Sequence, residues 1–194
     1  MCLSIKRTLA LSGLLVGLLA HGTGAASEPV RKIVLVDPGG DDKGPGSYTY
    51  PTHTVYKPKS FDLRKLTVID KGSNVEFRVE MGAHIGDPWR SKEWDGNGFS
   101  LQFVQIYIDT TAGRGFTKPL PGLGAARFAA TQAWDKVVLI SPQGKAKLSS
   151  ELKYKARKMR ADVIIPKSTR ARGKKLIAVV NKRDLGGPPN KAWG

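Results

Sequence analysis

The sequence contains a single cysteine, Cys2, which lies before the first apolar run. A chain with one cysteine forms no internal disulfide and no cysteine-based metal cluster. Histidine is also scarce, since only His53 and His84 follow residue 26. The sequence has no Gly-x-Ser-x-Gly turn of the kind that presents a nucleophilic serine. These absences predict a protein that is not an enzyme.

Long apolar runs are missing except for Leu9–Ala20, which follows a short basic start and precedes a string of small residues. This order is typical of a secretory signal peptide, and the run is short for a membrane span. We predict cleavage after Ala26, with Ala25 as the alternative site and a retained N-terminal anchor as the alternative reading. Residues 1–26 are then the signal peptide. Residues 27–194 form the exported domain, periplasmic or extracellular, with no transmembrane span and no thiol.

Positive charge is concentrated in the last third of the chain. Residues 27–135 carry 14 basic and 13 acidic residues, whereas residues 136–194 carry 16 basic and three acidic ones. Such a block is typical of proteins that bind nucleic acid, an anionic polymer or a membrane surface, and also of a merely solvated basic face. Export and the scarcity of aromatic residues in this block argue against nucleic acid.

Apolar patterns predict many short strands. Asn74–Met81 alternates between apolar and polar residues, which predicts a half-buried antiparallel strand. Phe99–Asp109 is apolar on both faces and predicts a central strand. Further strands are predicted at residues 32–36, 137–140, 163–165 and 176–180. A helix over Ser149–Ala161 and an exposed strand pair fit the charged segment equally well. The fold class indicated is all-β, an antiparallel β-sandwich.

The loop Asp37–Pro51 combines three carboxylates, from Asp37, Asp41 and Asp42, with several glycines. Carboxylates this close together repel one another unless a cation or hydrogen-bond donors compensate them. Glycines let the backbone turn tightly enough for several oxygen atoms to converge, as calcium requires. The spacing is not that of an EF-hand. An aspartate-rich turn capped by its own amides is the alternative.

The string Asp-Pro-Gly-Gly-Asp-Asp-Lys-Gly-Pro-Gly-Ser-Tyr-Thr-Tyr-Pro at residues 37–51 resembles the opening of the C-terminal binding module of glucodextranase. That family consists of secreted β-sandwich domains related to DOMON domains and family 9 carbohydrate-binding modules. Further similar motifs follow in the family's order: Phe61-Asp62-Leu63, Asp87-Pro88-Trp89, Asn97–Gln102, Val104–Asp109, Pro121-Gly122 and Ala133-Trp134-Asp135. The resemblance implies a jelly-roll or DOMON-like antiparallel sandwich.

The resemblance also implies a structural calcium site made by Asp37, Asp41 and Asp42, with Asp135 as a fourth acid. Asp109 is either a further ligand or a cap for the turn that follows it. The chain stops where the family normally enters another strand. Either the sequence is truncated there, or this version lacks its last strands and exposes a sheet edge.

Four aromatic residues in loops, Tyr48, Tyr50, Trp89 and Trp94, are candidates for stacking on sugar rings. Packing at the ends of the sandwich is the alternative role for these rings. The predicted function is a non-catalytic module that binds a polysaccharide or another cell-envelope polymer. The alternative is a structural or interaction protein of the envelope that docks an anionic partner through residues 136–194.

Two catalytic or cofactor alternatives have weaker support in the sequence. Glu93 and Asp95 lie near two tryptophans and could mimic a glycosidase carboxylate pair, but both fall in one loop. Related sandwiches can hold haem, yet only Met81 and Met159 follow residue 26, and no histidine-rich segment occurs.

Overall fold

The computed structural model describes residues 2–4, 31–43, 49–111, 114–121, 126–190 and 193. These residues form nine strands and one α-helix. In chain order they are β1 (Cys2–Ser4), β2 (Lys32–Val36), β3 (Leu63–Lys71), β4 (Asn74–Met81), β5 (Val104–Ile108), β6 (Lys136–Ile140), α1 (Lys145–Lys155), β7 (Val163–Ile164), β8 (Ser168–Arg172) and β9 (Lys175–Asn181). The strands lie in two sheets, which confirms the all-β sandwich.

The first sheet has five antiparallel strands in the order β2-β3-β4-β9-β8. Strand β4 shows the predicted alternation, because Val75, Phe77, Val79 and Met81 are buried while the residues between them are half-buried. A strand presents successive side chains to opposite faces, so one face of this sheet is apolar and the other is polar.

The second sheet has four strands in the order β1-β5-β6-β7. Strands β5 and β6 run antiparallel, whereas β1 joins β5 and β7 joins β6 in parallel. Every residue of β5 is buried. The prediction of a central strand with both faces covered is therefore confirmed.

The inner faces of the two sheets pack against each other to form the main core. The five-stranded sheet contributes residues such as Phe77 and Leu176, and the four-stranded sheet contributes Ile106 and Ile140. These side chains are 0% exposed. Burial of this much apolar surface is the main force that holds the two sheets together.

A second apolar cluster covers the outer face of the four-stranded sheet. Tyr107 of β5 and Trp134 are both 1% exposed, and their ring centroids lie 5.0 Å apart. Phe116 and Phe128, from the connection between β5 and β6, pack against the same cluster. Helix α1 adds Leu152, which is 9% exposed. Tyr107 and Trp134 are therefore core residues of this second cluster.

Two predicted element boundaries are wrong. Strand β5 begins at Val104 and not at Phe99, because the preceding residues form a loop in which the buried Gln102 side-chain amide donates a hydrogen bond to the Ser60 carbonyl at 3.1 Å. The helix spans Lys145–Lys155 and not Ser149–Ala161. The alternative of an exposed strand pair in this segment is also wrong, since Leu148 and Leu152 bury one side of a helix.

The predicted signal peptide falls almost entirely on residues outside the described ranges. Its described part, Cys2–Ser4, pairs with β5 as an edge strand. Cleavage after Ala26 would remove this strand and expose the edge of β5. Within the described ranges, no helix is both long and apolar enough to cross a membrane.

Matched valine substitutions on the two faces of the five-stranded sheet test the architecture. Val79 is 0% exposed and Val36 is 75% exposed. We expect Val79→Ala to lower the free energy of unfolding by about 2 kcal/mol or more, because it removes buried methyl groups and leaves a cavity. Val36→Ala should change it by less than about 0.5 kcal/mol in urea unfolding. Equal effects of the two substitutions would contradict the assignment of faces.

Candidate functional site

The acidic loop, defined as Asp37–Lys43, follows β2 at one end of the sandwich. Its backbone is held against the segment that leads into β3. The Asp37 amide donates to the Arg64 carbonyl at 3.0 Å, and the Gly40 amide donates to Asp62 Oδ1 at 3.3 Å. Gly40 has a φ of 88°, which favours glycine at this turn. The loop is therefore fixed close to Asp62.

Asp62 is a buried carboxylate beneath the acidic loop. The residue is 1% exposed, and its Oδ2 accepts no hydrogen bond from any described donor. Arg64 Nη1 lies 3.6 Å from Oδ2, which makes an ion pair without a hydrogen bond. A buried charge with incomplete hydrogen bonding is costly, so this carboxylate has unused capacity to bind a cation or a donor.

The acidic loop and Asp62 together make a negatively charged site. Partial burial raises the pKa of Asp37 above its ordinary value, and the charges of Asp41 and Asp62 raise it further. The Arg64 guanidinium opposes this shift but does not cancel it. A raised pKa of this origin means that ionisation of Asp37 is less favourable in the fold than in the unfolded chain, and further positive charge would offset this cost.

The structure brings together only part of the predicted calcium ligand set. Asp42 lies beside Tyr50, whose pKa is raised first by burial and then by the Asp42 carboxylate. Asp135 lies at the start of β6, where its carboxylate accepts hydrogen bonds from the Thr110 amide at 3.2 Å and the Thr110 hydroxyl at 2.7 Å. Its role as a fourth ligand stays a prediction. Asp109 Oδ1 accepts a hydrogen bond from the Thr111 amide at 3.1 Å, as expected for a turn cap.

Among the described residues, no three histidine, cysteine, aspartate or glutamate side chains are grouped in a way that could hold a metal ion. The carboxylates of the acidic loop and Asp62 therefore have the charge that a cation requires, but their described positions do not form a coordination site. Calcium sites also use backbone carbonyls and water, and the loop continues into residues 44–48, which lie outside the described ranges.

A chain of aromatic rings leads from the acidic loop to Trp89. Tyr50 contacts Phe61 with a centroid distance of 5.9 Å, and Phe61 contacts Tyr56 at 5.8 Å. Tyr56 then meets Trp89 edge to face at 6.3 Å. Tyr50 is half-buried and donates a hydrogen bond to the Lys57 carbonyl, so its ring packs the end of the sandwich. Tyr48 lies outside the described residues.

Trp89 and Trp94 form what we call the tryptophan shelf. Trp89 is 50% exposed and Trp94 is 38% exposed, and Trp94 Nε1 donates to the Trp89 carbonyl at 3.0 Å. Lys147 of α1 lies 6.0 Å above the Trp94 ring. Of the four aromatic residues predicted to bind a ligand, these two have their rings open to solvent.

The backbone around the shelf is strained. The 3-10 helix Ser91–Trp94 is flanked by Arg90 with a φ of 47° and Asp95 with a φ of 57°. Non-glycine residues in the left-handed region cost about 1 kcal/mol or more each and are common at binding sites. Asn97 anchors the segment by donating hydrogen bonds to the carbonyls of Ser141 and Gln143 at 2.9 and 2.8 Å. The shelf thus rests on β6 and the start of α1.

Asp87 holds the shelf in place from below. Its carboxylate accepts hydrogen bonds from the Ser91 amide at 2.9 Å and the Ser91 hydroxyl at 2.8 Å. Burial alone would raise the pKa of Asp87, but these hydrogen bonds, together with one from Ser100 and the charge of Lys92, outweigh burial and lower it. Ser100 Oγ also accepts the Trp89 amide at 3.2 Å, so Asp87 is linked to both ends of the shelf.

A groove of ≈ 500 Å³ opens beside the shelf. Its lining is mixed, with Thr54, Val55, Lys57, Ser60, His84, Gly86, Asp87, Pro88 and Leu101. Exposed aromatic rings next to a groove with hydroxyl, imidazole and ammonium groups can stack on a sugar and bind its hydroxyls.

The sequence interpretation missed three residues of this region. Asp62, Tyr56 and Phe61 were not among the predicted site residues, yet they connect the acidic loop to the shelf. One indication of Asp62 was present in the sequence, because an acidic residue between the apolar residues Phe61 and Leu63 is unusual just before a strand. The ring contacts of Tyr56 are made in the folded chain and have no local sequence pattern.

Comparison with known families shows what the chain is similar to. A family model described as the C-terminal binding module, SLH-like, of glucodextranase matches residues 33–194. No curated protein matches the chain. The matched segment includes the acidic loop, the aromatic chain and the shelf.

Removing the Asp87 carboxylate should loosen the shelf. We expect Asp87→Ala to lower the free energy of unfolding in urea by about 1–3 kcal/mol at neutral pH, because it removes charge-assisted hydrogen bonds to a partly buried site. The exposed Glu93 in the same loop is the control, and Glu93→Ala should cost less than about 0.5 kcal/mol.

The pH dependence of this effect follows from the lowered pKa of Asp87. The stabilisation is present above the ordinary aspartate pKa and is lost as pH falls through the lower folded-state value. The difference between wild type and Asp87→Ala should therefore shrink in strong acid. A difference that stays constant with pH would show that the carboxylate charge does not stabilise the shelf.

Proposed function

The chain belongs to the family of C-terminal, SLH-like binding modules of glucodextranase, and we propose from this premise that it is an exported, non-catalytic module that binds carbohydrate on the tryptophan shelf. The carbohydrate is a polysaccharide or another cell-envelope polymer, and the module acts at the cell surface or outside the cell. The observation that carries this proposal is the pair of open indole rings beside a groove with polar groups.

The arrangement of the shelf supports stacking. Carbohydrate binding by aromatic rings needs faces that are held rigid and open to solvent, because ordering a mobile ring on binding costs free energy. Trp94 is fixed by its hydrogen bond to the Trp89 carbonyl, and Trp89 by its edge contact with Tyr56. Both rings nevertheless keep more than a third of their surface exposed.

The acids beside the shelf support a binding role without catalysis. Glu93 is more than half exposed and forms an ion pair with the exposed Arg90 at 3.0 Å. Asp95 is exposed as well. A glycosidase acid needs a buried, desolvated environment that keeps it protonated at neutral pH. Glu93 and Asp95 have no such environment.

We also propose that calcium stabilises the acidic loop through Asp37, Asp41 and Asp42. Asp62 adds a buried carboxylate oxygen with no described hydrogen-bond donor. The raised pKa of Asp37 supports this proposal, since burial and the charges of Asp41 and Asp62 together outweigh the Arg64 guanidinium. When bound, calcium supplies the missing positive charge, and its binding to the folded state alone stabilises that state by mass action.

Truncating a shelf tryptophan tests the carbohydrate proposal. We expect Trp89→Ala to weaken binding to a soluble α-glucan such as dextran at least tenfold, as measured by isothermal titration calorimetry, because a central aromatic contact is a typical hot spot. The control is Tyr154→Ala, since Tyr154 is 77% exposed on α1 and lies away from the groove. Equal losses in both variants, or none in either, would contradict binding on the shelf.

Asp37→Asn tests the calcium proposal. In chelator at neutral pH we expect this variant to melt at a higher temperature than wild type, because it removes a carboxylate that is desolvated and repelled by Asp41 and Asp62. In millimolar calcium we expect wild type to melt at a higher temperature than Asp37→Asn. At a hundred times the dissociation constant, binding adds about 2.7 kcal/mol to wild type, or several degrees in melting temperature.

The raised pKa of Asp37 determines how the stability difference between Asp37→Asn and wild type changes with pH. Without calcium, its ionisation costs stability as pH rises through the folded-state pKa, so the advantage of Asp37→Asn should disappear in acid. The control is Asp95→Asn, an exposed acid in another loop. The proposed role of the loop would be rejected if calcium did not raise the melting temperature of wild type. It would also be rejected if calcium raised the melting temperature of Asp37→Asn by the same amount.

A further inference from the structure

The outer face of the five-stranded sheet is rich in cations. The strand register places its outward side chains in three rows, and we call these rows the basic sheet face. They are Val36–Lys65–Glu80–Lys175–Arg172, Val34–Thr67–Arg78–Ile177–Arg170 and Lys32–Ile69–Glu76–Val179–Ser168. Each row crosses all five strands, so residues far apart in sequence become neighbours.

The basic sheet face carries a surplus of positive charge. Six cationic residues and two carboxylates lie on this face. Those cations are Lys32, Lys65, Arg78, Arg170, Arg172 and Lys175. Glu80 is shared between Lys65 at 3.7 Å and Lys175 at 3.6 Å. Glu76 is bound by Arg78.

Three of these cations make no ion pair with any described carboxylate, namely Lys32, Arg170 and Arg172, and all three are exposed. Arg170 and Arg172 lie on the edge strand β8, and Lys32 lies on the opposite edge strand β2. The unpaired charge is therefore placed at both sides of the face.

A groove of ≈ 310 Å³ runs over this face from β2 to β9, and Arg170 and Arg172 of β8 lie beyond its end. Its lining is Lys32, Val34, Lys65, Thr67, Ile69, Arg78, Glu80 and Lys175. Aliphatic side chains, such as Val34 at 36% exposure, lie between the cationic ones. The groove thus offers carbon surface and the hydroxyl group of Thr67 as well as positive charge, which matches a sugar ring that bears an acidic substituent.

The size of the face indicates a polymer. Five strands about 4.8 Å apart span roughly 19 Å, and three rows about 7 Å apart span roughly 14 Å along the strands. One small anion would meet only one or two of the cations. A chain of several sugars would cross from the Lys32 edge to the Arg170 and Arg172 edge.

The composition of the face favours a glycan over other polyanions. None of the residues in the three rows is aromatic, whereas membrane surfaces and single-stranded nucleic acids are usually bound with the help of aromatic anchors or stacking platforms. Glu76 and Glu80 lie in the interior of the face, where they would repel a dense row of phosphates. An acidic polysaccharide has its carboxylates separated by whole rings and can alternate with these two residues.

We propose that the basic sheet face is a second binding surface, and that its ligand is an acidic polysaccharide. This inference rests on the proposed function as a carbohydrate-binding module, but it uses a face that shares no residue with the tryptophan shelf. The surface joins Arg170, Arg172 and Lys175 from the basic third of the chain to Lys32, Lys65 and Arg78 from the part that is nearly neutral.

The test compares two double variants of the full-length chain that remove the same charge. Arg170→Gln/Arg172→Gln alters the basic sheet face, and Lys153→Gln/Lys158→Gln alters exposed lysines of α1 and of the turn after it. Binding to polygalacturonate is measured by affinity electrophoresis and calorimetry at about 50 mM and about 500 mM salt, with dextran as the neutral glucan.

We expect Arg170→Gln/Arg172→Gln to bind polygalacturonate about tenfold more weakly at low salt and to show a shallower salt dependence. Its binding to dextran and its melting temperature should match wild type. Lys153→Gln/Lys158→Gln should bind polygalacturonate within about twofold of wild type, because the contact is local and not set by net charge.

Several outcomes would overturn this inference. Equal weakening by both double variants would show attraction by net charge alone, and absence of wild-type binding to polygalacturonate would exclude the acidic glycan. Tighter, Arg170- and Arg172-dependent binding to phosphatidylglycerol vesicles or to DNA would assign the face to another partner. Trp89→Ala separates the two proposals. If this variant loses binding to dextran but keeps binding to polygalacturonate, both the shelf and the basic sheet face are supported. Absence of wild-type dextran binding rejects only the shelf.

Discussion

The four-stranded sheet is covered on both faces, and this constraint determines where the molecule can bind anything. One face packs against the five-stranded sheet through residues such as Ile106 and Ile140. The other is sealed by the cluster around Tyr107 and Trp134, by the connection between β5 and β6, and by α1. Within the part of the chain that the structure describes, the loops at the ends of the sandwich and the outer face of the five-stranded sheet stay open to ligands. The tryptophan shelf and the basic sheet face occupy these two kinds of place.

The pKa values of Asp87, under the tryptophan shelf, and of Asp37, in the acidic loop, are shifted in opposite directions. At Asp87, hydrogen bonds from serines outweigh the cost of burial, so the carboxylate is stable when ionised and can fix the shelf. At Asp37, burial and neighbouring carboxylates prevail, so the ionised form is disfavoured. The first carboxylate has the character of a structural support. The second has the character of a site that needs a cation, which is why calcium is proposed for the loop and not for the shelf.

How far the sequence predicted the structure depended on how regular each pattern was. Strand β4 was readily predicted, because a strand with one buried face has a period of two residues. Strand β3 was indicated only at its start, where Phe61-Asp62-Leu63 resembles a strand of the family. Its length was missed, since Ile69 lies on the outer face and Asp70 on the inner one, where Lys182 pairs with it at 2.6 Å. Strand β8 was missed because Thr169 and Ala171 are its only inward residues and give little apolar signal. In the site, the sequence left open whether Trp89 and Trp94 pack the end of the sandwich or face solvent, and both residues are exposed in the fold. The contacts of Tyr56, Phe61 and Asp62 depend on tertiary packing that a local pattern does not contain.

The two proposed surfaces would respond differently to the ionic strength of their surroundings. Stacking on indole rings depends on apolar contact and changes little with ionic strength, whereas attraction to Lys32, Arg170 and Arg172 weakens as salt screens it. A polymer with neutral and acidic segments that engages both surfaces gains from effective concentration, because the second contact is intramolecular once the first is made. If both proposals hold, such a module would bind tightly at low salt through both surfaces, and at high salt it would keep the weaker binding that the shelf alone provides.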